Sequence, residues 1–298
     1  MCGIVGLFAK TPQLGKHLGL HLSKMLICMS DRGPDSAGLA IYGKPIAKKT
    51  KIMVQSQSPE VEFVKLKNLL SKKKILSYSI DTQSSHAVIK IDIKQKDLVA
   101  DLISNAFPSL RILSVGKKME IYKEVGKPSD VVKRFGIDRM KGSHGIGHTR
   151  MATESAVTTL GAHPFSTGED QCLVHNGSLS NHNSLRRELK RKDMTFETEN
   201  DSEVAASFIT NRMNEGQSLK EALESALVEL DGFFTFVVGT ENGFGVLRDP
   251  IACKPAVLAE TSDYVAFGSE YRALTSLPNI EKAKVWEPEP ATVYFWGH

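Results

Sequence analysis

Met1-Cys2-Gly3-Ile4-Val5-Gly6 opens the chain, and the apolar run continues through Leu7 and Phe8. A cysteine in second place becomes the first residue once an initiator methionine is removed, and removal is favoured ahead of a small side chain. Cys2 would then carry a thiol and a free α-amine on one carbon. The amine can take the thiol proton directly or through one water, generating the thiolate that is the reactive nucleophile. Reference pKa values of about 8.5 for the thiol and roughly 7.7 to 8.0 for the amine allow proton sharing near neutrality. Ile4 to Phe8 reads as a buried strand, which would hold the nucleophile where an ordinary terminus frays. A chance cysteine beside a start codon is the plain alternative, and the remaining residues must decide.

At 298 residues the chain can bury a large core as one large domain or two smaller ones. With 41% hydrophobic and 24% charged residues it belongs with globular proteins. Apolar runs are too short to span a bilayer and the N-terminus lacks a basic, then apolar, leader, so a cytoplasmic protein with no membrane partner is expected. The net charge of +4 comes mainly from scattered lysines. Runs such as Lys72-Lys73-Lys74 and Lys190-Arg191-Lys192 have no interleaved aromatic or glycine pattern, which argues for solvated faces and against nucleic acid. Cys2, Cys28, Cys172 and Cys253 are widely spaced, and His17 and His21 have no acidic companion, so neither a disulfide framework nor a metal site is expected.

Apolar positions Leu18, Leu22, Met25, Leu26 and Met29 predict a helix over 17–30. Asp31-Arg32-Gly33-Pro34-Asp35-Ser36 breaks it, as a plain turn or a functional loop, before a strand at Leu39 to Tyr42. From Lys44 to Lys141 the texture becomes lysine-rich. Strand-like stretches at Ile75 to Ile80 and Ala87 to Ile93, a helix over Lys96 to Phe107, a strand pair in Leu110 to Val125 and a helix near Ser129 to Phe135 suggest an inserted α/β subdomain. Gly145 to Thr153 returns to core character. A strand at Cys172 to Val174 runs into His175-Asn176-Gly177, where Asn-Gly is either a turn or an amide and a backbone N–H aimed at one point, as an oxyanion hole needs. Helices are expected from about Asn181 to Lys192 and from Leu219 to Leu230, with another capped by Asp201 or Ser202. A hairpin turning at Asn242-Gly243, strands at Ala256 to Ala259, Tyr264 to Gly268 and Thr292 to Trp296, and a short helix from Glu270 complete the chain. Many antiparallel strands with a few helices imply two stacked, helix-covered sheets.

Six motifs occur in order: Met1-Cys2-Gly3-Ile4-Val5-Gly6, Arg32-Gly33-Pro34-Asp35-Ser36-Ala37-Gly38, Gly147-His148-Thr149-Arg150-Met151-Ala152-Thr153, His175-Asn176-Gly177, Asn200-Asp201-Ser202-Glu203 and Arg248-Asp249-Pro250. Together they resemble the class II glutamine amidotransferases, N-terminal-nucleophile hydrolases with a four-layer αββα sandwich in the α+β class. The resemblance covers 1–43 and 142–298, leaving 44–141 as the inserted subdomain. It implies Cys2 as nucleophile, Asn176 and the Gly177 N–H as oxyanion donors, Arg150 on the substrate α-carboxylate and Asp201 on its α-ammonium. Arg32 and Thr153 would shape the pocket. The family often has an aromatic residue where Met151 stands, which affects local packing.

The resemblance further implies glutamine or glutamate as substrate and a separate synthase subunit to receive ammonia, because the sequence after the glutaminase motifs lacks a nucleotide or phosphoribosyl motif. The position of the insertion and the Arg32-Gly33-Pro34-Asp35-Ser36 form of the loop are similar to the amidotransferase-like A subunits of N-methylglutamate synthases (methylamine-glutamate N-methyltransferases). Partners there resemble the remaining domains of glutamate synthase, so a flavin is expected in a partner subunit and no cofactor in this chain. Glutaminase subunits of other glutamate-synthase-like complexes and a catalytically weak scaffold subunit remain as alternatives. The insertion would be a docking surface for the partner, or a decoration or stabilising layer.

Overall fold

A strand with an almost unbroken apolar run must be covered on both faces, and all seven residues of Gly3–Ala9 are buried. In the computed structural model, which describes residues 2–73, 75, 77–152 and 156–297, this strand is the middle of a seven-stranded sheet. Tyr264–Gly268, Val257–Glu260 and Lys284–Trp286 lie on one side of it, and His144–Arg150, Ser36–Tyr42 and Met119–Val125 on the other. Every neighbouring pair is antiparallel. A second sheet of five strands runs in the order Thr292–Gly297, Gly243–Arg248, Gly232–Thr240, Gln171–Leu179 and Phe165–Gly168.

The two sheets face each other. Ile4, Leu7, Val174, Val237 and Phe244 join one buried cluster. Helices Leu18–Cys28 and Pro128–Phe135 cover the outer face of the first sheet, while Asp201–Asn214 and Leu219–Glu229 cover that of the second. The result is an αββα sandwich, the architecture implied by the resemblance.

The stretch 44–141 divides between two layers. Lys49–Gln55, Ser79–Gln83, His86–Asp92 and Arg111–Gly116 form a separate four-stranded sheet. Helices Pro59–Lys72 and Lys96–Ala106 pack on it through Phe63, Leu66, Leu70, Val99 and Ile103. Met119–Val125 instead pairs with Ser36–Tyr42 across seven positions and serves as the edge strand of the main sheet. The sandwich therefore resumes at Met119, before position 142. Composition hides this crossing because lysine-rich sequence continues through it, while the pairing partner changes from the extra sheet to the main sheet at Met119.

Within the extra sheet, the Lys49–Gln55 strand and the Pro59–Lys72 helix were not expected. The strand buries Lys51, whose ammonium pairs with Glu120 at 2.7 Å, so a core position carries a charged residue. The helix keeps Val61 and Val64 exposed among charges, which blurs its apolar stripe. The strand expected at 75–80 begins at Ser79, and Leu76 lies outside the described residues. Lys284–Trp286 is a further strand that the pattern did not suggest.

His86 joins the layers, its ring stacking edge-on against Phe135 at 4.5 Å. Burial pushes the pKa values of His86 and His148 down to about 3. The unfolded chain takes up protons at these rings below about 6.5, while the folded chain resists until near 3. This contribution to stability is complete above pH 6.5 and is lost as pH falls. Between pH 7.5 and 5.5, denaturant unfolding should lose about 1.4 kcal/mol more in the wild type than in His86→Leu. Parallel pH curves for the two proteins would contradict the neutral, buried assignment.

Candidate active site

Two side chains from different parts of the fold hold the Cys2 carbonyl. Arg32 Nε donates to the Cys2 oxygen at 2.9 Å and Asn176 Nδ2 donates to the same oxygen at 3.2 Å. One more clamp follows in each direction: Ser269 Oγ accepts from the Ile4 N–H at 2.9 Å, and the Ser269 N–H donates to the Ile4 carbonyl at 2.9 Å. Cys2 is half-buried, and its Sγ lies 4.0 Å from the Met151 carbonyl oxygen.

The Arg32 loop is shaped for close approach. A Cβ on Gly33 would stand 2.5 Å from the Thr149 carbonyl carbon and 2.6 Å from the Arg150 N and C atoms, so only a glycine lets the two backbones touch. Asp35 fastens the contact: its N–H donates to the Arg150 carbonyl at 3.1 Å and its Oδ2 accepts from the Ala152 N–H at 2.8 Å. The Arg32 guanidinium is buried and its Nη1 pairs with Glu270. Glu270 in turn pairs with Arg272 Nε at 2.6 Å. Hydrogen bonding from Arg32 holds the Glu270 carboxyl below the usual carboxylate range.

Gly3 is paired with Thr149, so Arg150 ends its strand beside Cys2. Its buried guanidinium donates from Nη1 to the Ala156 carbonyl at 3.3 Å. Asn176 and Gly177 are not a turn. They continue the Gln171–Leu179 strand and pair with Thr235 and Phe234. Gly177 has φ +152°, and a Cβ there would fall 2.0 Å from the Phe233 carbonyl oxygen, so the site requires glycine.

The helix cap falls on Asn200, whose side chain accepts from the Ser202 N–H at 2.9 Å, instead of on Asp201 or Ser202. Asp201 is thus released from capping. Its Oδ2 accepts from the Leu179 N–H at 2.9 Å, tying the helix start to the Asn176 strand.

Buried imidazoles align the three elements. His148 Nε2 donates to the His175 carbonyl at 2.9 Å, linking the strand of Arg150 to that of Asn176. His175 Nδ1 meets Ser202 Oγ at 2.9 Å, linking that strand to the helix of Asp201. His163 stacks on His148 with ring centres 4.0 Å apart. Burial lowers the pKa of all three rings, for His148 to about 3, which keeps them neutral near pH 7.

Of the expected residues, Cys2, Arg32 and Asn176 meet at one carbonyl, Gly177 follows Asn176, Arg150 ends the adjoining strand, and Asp201 is bonded two residues beyond Gly177. Thr153 lies outside the described residues. Arg32 turns toward Cys2 and Glu270. Glu270 and Ser269 were not singled out from sequence, where the only signal is a polar pair directly after the Tyr264–Gly268 strand. The Arg248-Asp249 motif serves a separate turn: Arg248 donates to the carbonyls of Pro288 at 2.8 Å and Ala252 at 2.9 Å. Among the described residues no group of three metal-ligating side chains occurs and no helix is long and apolar enough to cross a membrane.

This sandwich, with the chain start on a central strand, is the fold of the class II amidotransferases among N-terminal-nucleophile hydrolases. Glutamine phosphoribosylpyrophosphate amidotransferase from B. subtilis, solved with ADP and GMP, superposes with a TM-score of 0.60 at 20% identity, covering 99% of this chain and 47% of that one. Residues 148–276 match the model of the glutamine amidotransferase domain. The chain is 62% identical over 298 residues to the "Glutamine amidotransferase-like protein GlxB" of Rhizobium meliloti (strain 1021), covering 99% of it. It is also 32% identical over 178 residues to the amidophosphoribosyltransferase of Methanocaldococcus jannaschii, spanning 38% of that protein's length. The chain belongs to the glutamine amidotransferase family.

Gly33→Ala should force the Arg32 loop away from the Thr149-Arg150 backbone and lower stability by about 1–3 kcal/mol. Denaturant unfolding measures that loss, and iodoacetamide labelling of Cys2 should speed up as its carbonyl is released. An alanine variant with wild-type stability would mean that the close approach does not matter.

Proposed function

We propose that this chain hydrolyses glutamine with Cys2 as nucleophile, after removal of Met1, and passes the ammonia to a separate synthase subunit. The observation that carries the reading is the shared grip of Arg32 and Asn176 on the Cys2 carbonyl, which brings the chain start to the proposed oxyanion donors. The α-amine takes the thiol proton as Sγ attacks the side-chain amide carbon. The Asn176 amide and the Gly177 N–H receive the oxyanion, which requires the amide to exchange or share its bond to the Cys2 carbonyl. The protonated amine then gives its proton to the departing nitrogen, releasing ammonia and leaving a thioester. Water, activated by the same amine, hydrolyses the thioester to glutamate and restores the thiol. Arg150 pairs with the substrate α-carboxylate, a planar two-point task suited to guanidinium. Asp201 binds the α-ammonium with the carboxylate capacity left beyond the Leu179 N–H.

In Cys2→Ser, glutamine hydrolysis should be nearly abolished while glutamine binding persists, since a hydroxyl is a far weaker nucleophile than a thiolate. Asn176→Ala should lower kcat by about 10²-fold with little change in KM, whereas Arg150→Ala should mainly raise KM. Steady-state kinetics, with intact mass defining the first residue, tests the set. Unimpaired turnover in the serine variant, or in protein that keeps Met1, would rule out the mechanism.

The finer reading is an A subunit of an N-methylglutamate synthase, a complex that converts glutamate and methylamine to N-methylglutamate and ammonia. The Arg32-Gly33-Pro34-Asp35-Ser36 loop and the placement of the extra sheet support it. Affinity purification from native cells should then recover a flavin-containing synthase subunit, detected by its visible absorbance and by mass spectrometry. Recovery with a synthase of another amine acceptor would reassign the complex while leaving the glutaminase reading intact.

A further inference from the structure

A cleft of about 470 Å³ lies where the extra sheet meets the sandwich, in the size range of small-molecule sites. Arg111–Gly116 and Lys96–Ala106 form one wall; Phe165–Gly168 and the 193–198 loop form the other. Much of its lining is apolar, including Ile112, Val115, Leu160, Phe165 and Met194. Ser114, also in the wall, is 4% exposed, and its Oγ has no hydrogen-bond partner among the described residues. A buried hydroxyl without a partner is uncommon in native structures and calls for an explanation.

The charge of the lining points to the sign of a ligand. Five carboxylates face two lysines. Lys123 uses its three N–H groups on the carbonyls of Leu160, Ala162 and Pro164, at 3.2, 2.8 and 3.2 Å. Lys96 is paired with Glu169 and, at 3.4 Å, with Asp97. Both cations are already matched, so neither is left to recruit an anion. Glu203 accepts from the N–H groups of Glu197 at 2.7 Å and Thr198 at 2.8 Å. The Glu197 carboxylate has no hydrogen-bond donor among the described residues; burial pushes its pKa up, and the nearby Arg111 and Lys123 charges offset this only in part.

From these features we infer that the cleft binds a small organic ammonium ion, its apolar body against Ile112, Phe165 and Met194, and its ammonium N–H groups toward the Glu197 carboxylate and the Ser114 hydroxyl oxygen. Nothing in this assignment depends on the glutaminase reading, and the test reads binding alone. n-Pentylammonium chloride is the probe, with pentanoate and pentanol as controls, titrated calorimetrically into the full chain. Saturable one-to-one binding of pentylammonium is expected, with pentanoate at least tenfold weaker. Glu197→Gln should weaken the probe about fivefold or more. Ser114→Leu, which fills the cleft, should remove binding if circular dichroism shows it folded. Absence of saturable binding to the wild type, equal binding of pentanoate, or unchanged affinity in Glu197→Gln would each overturn the proposal.

Discussion

Two donors converge on a single carbonyl, that of Cys2, and much of the site depends on this grip. Cys2 lies just outside the Gly3–Ala9 strand and its sheet pairing, so its position must come from other contacts. Arg32 arrives from the loop after the first long helix, and Asn176 from the opposite sheet. The oxygen therefore bridges both layers of the sandwich. Arg32 can serve only because it is itself fixed: a buried guanidinium without a carboxylate would be costly, and Glu270 removes that cost. Glu270 follows the strand that pairs with Gly3–Ala9, so the brace returns to the same central strand. The ring of contacts closes on the element it positions.

A second constraint is the neutrality of the histidines. Charged imidazoles at full burial would repel one another and pay desolvation, whereas neutral rings can stack and act as rigid spacers. His148 and His175 set the relative height of the Arg150 strand, the Asn176 strand and the Asp201 helix by hydrogen bonds of 2.9 Å. The carbonyl acceptor at His175 places the proton of His148 on Nε2 and leaves Nδ1 without a hydrogen-bond partner among the described residues. Precision in the site comes from packed, uncharged polar groups, while charge is kept at Arg32, Arg150 and Asp201.

Legibility in the sequence followed how local each signal is. The central strand was readable because burial on both faces writes an unbroken apolar run from Ile4 to Phe8. The Leu18–Cys28 helix was readable because its stripe is one-sided. Ordered motifs brought the site residues into view. Asn176-Gly177 stayed open between a turn and a pair of donors because Asn-Gly is a turn signal by composition; pairing with Thr235 and Phe234 makes it extended. The cap moved to Asn200 because any of three adjacent polar residues could accept from the first turn, and backbone geometry decides among them. Glu270 read only as the start of a short helix, since its meaning in the site lies in Arg32, 238 positions away.

The edge of the inserted stretch illustrates a more general difficulty. Asp170, buried in a tight turn of the second sheet, accepts from the N–H groups of Lys117, Lys118 and Met119 at 2.7, 2.9 and 2.8 Å. Its own N–H donates to the Val115 carbonyl at 2.9 Å. One carboxylate thus ties the last strand of the extra sheet, the crossing, and the edge strand of the first sheet to the second sheet. Removing 44–141 whole would strip Met119–Val125 from the sandwich and expose the unpaired backbone of Ser36–Tyr42, an edge that invites aggregation. Cutting only within 49–116 keeps that edge covered but leaves Asp170 partly unsatisfied if Lys117 is disturbed. The extra sheet is therefore built into the sandwich, and any role it has toward a partner or ligand must be separated from its role in closing the main sheet.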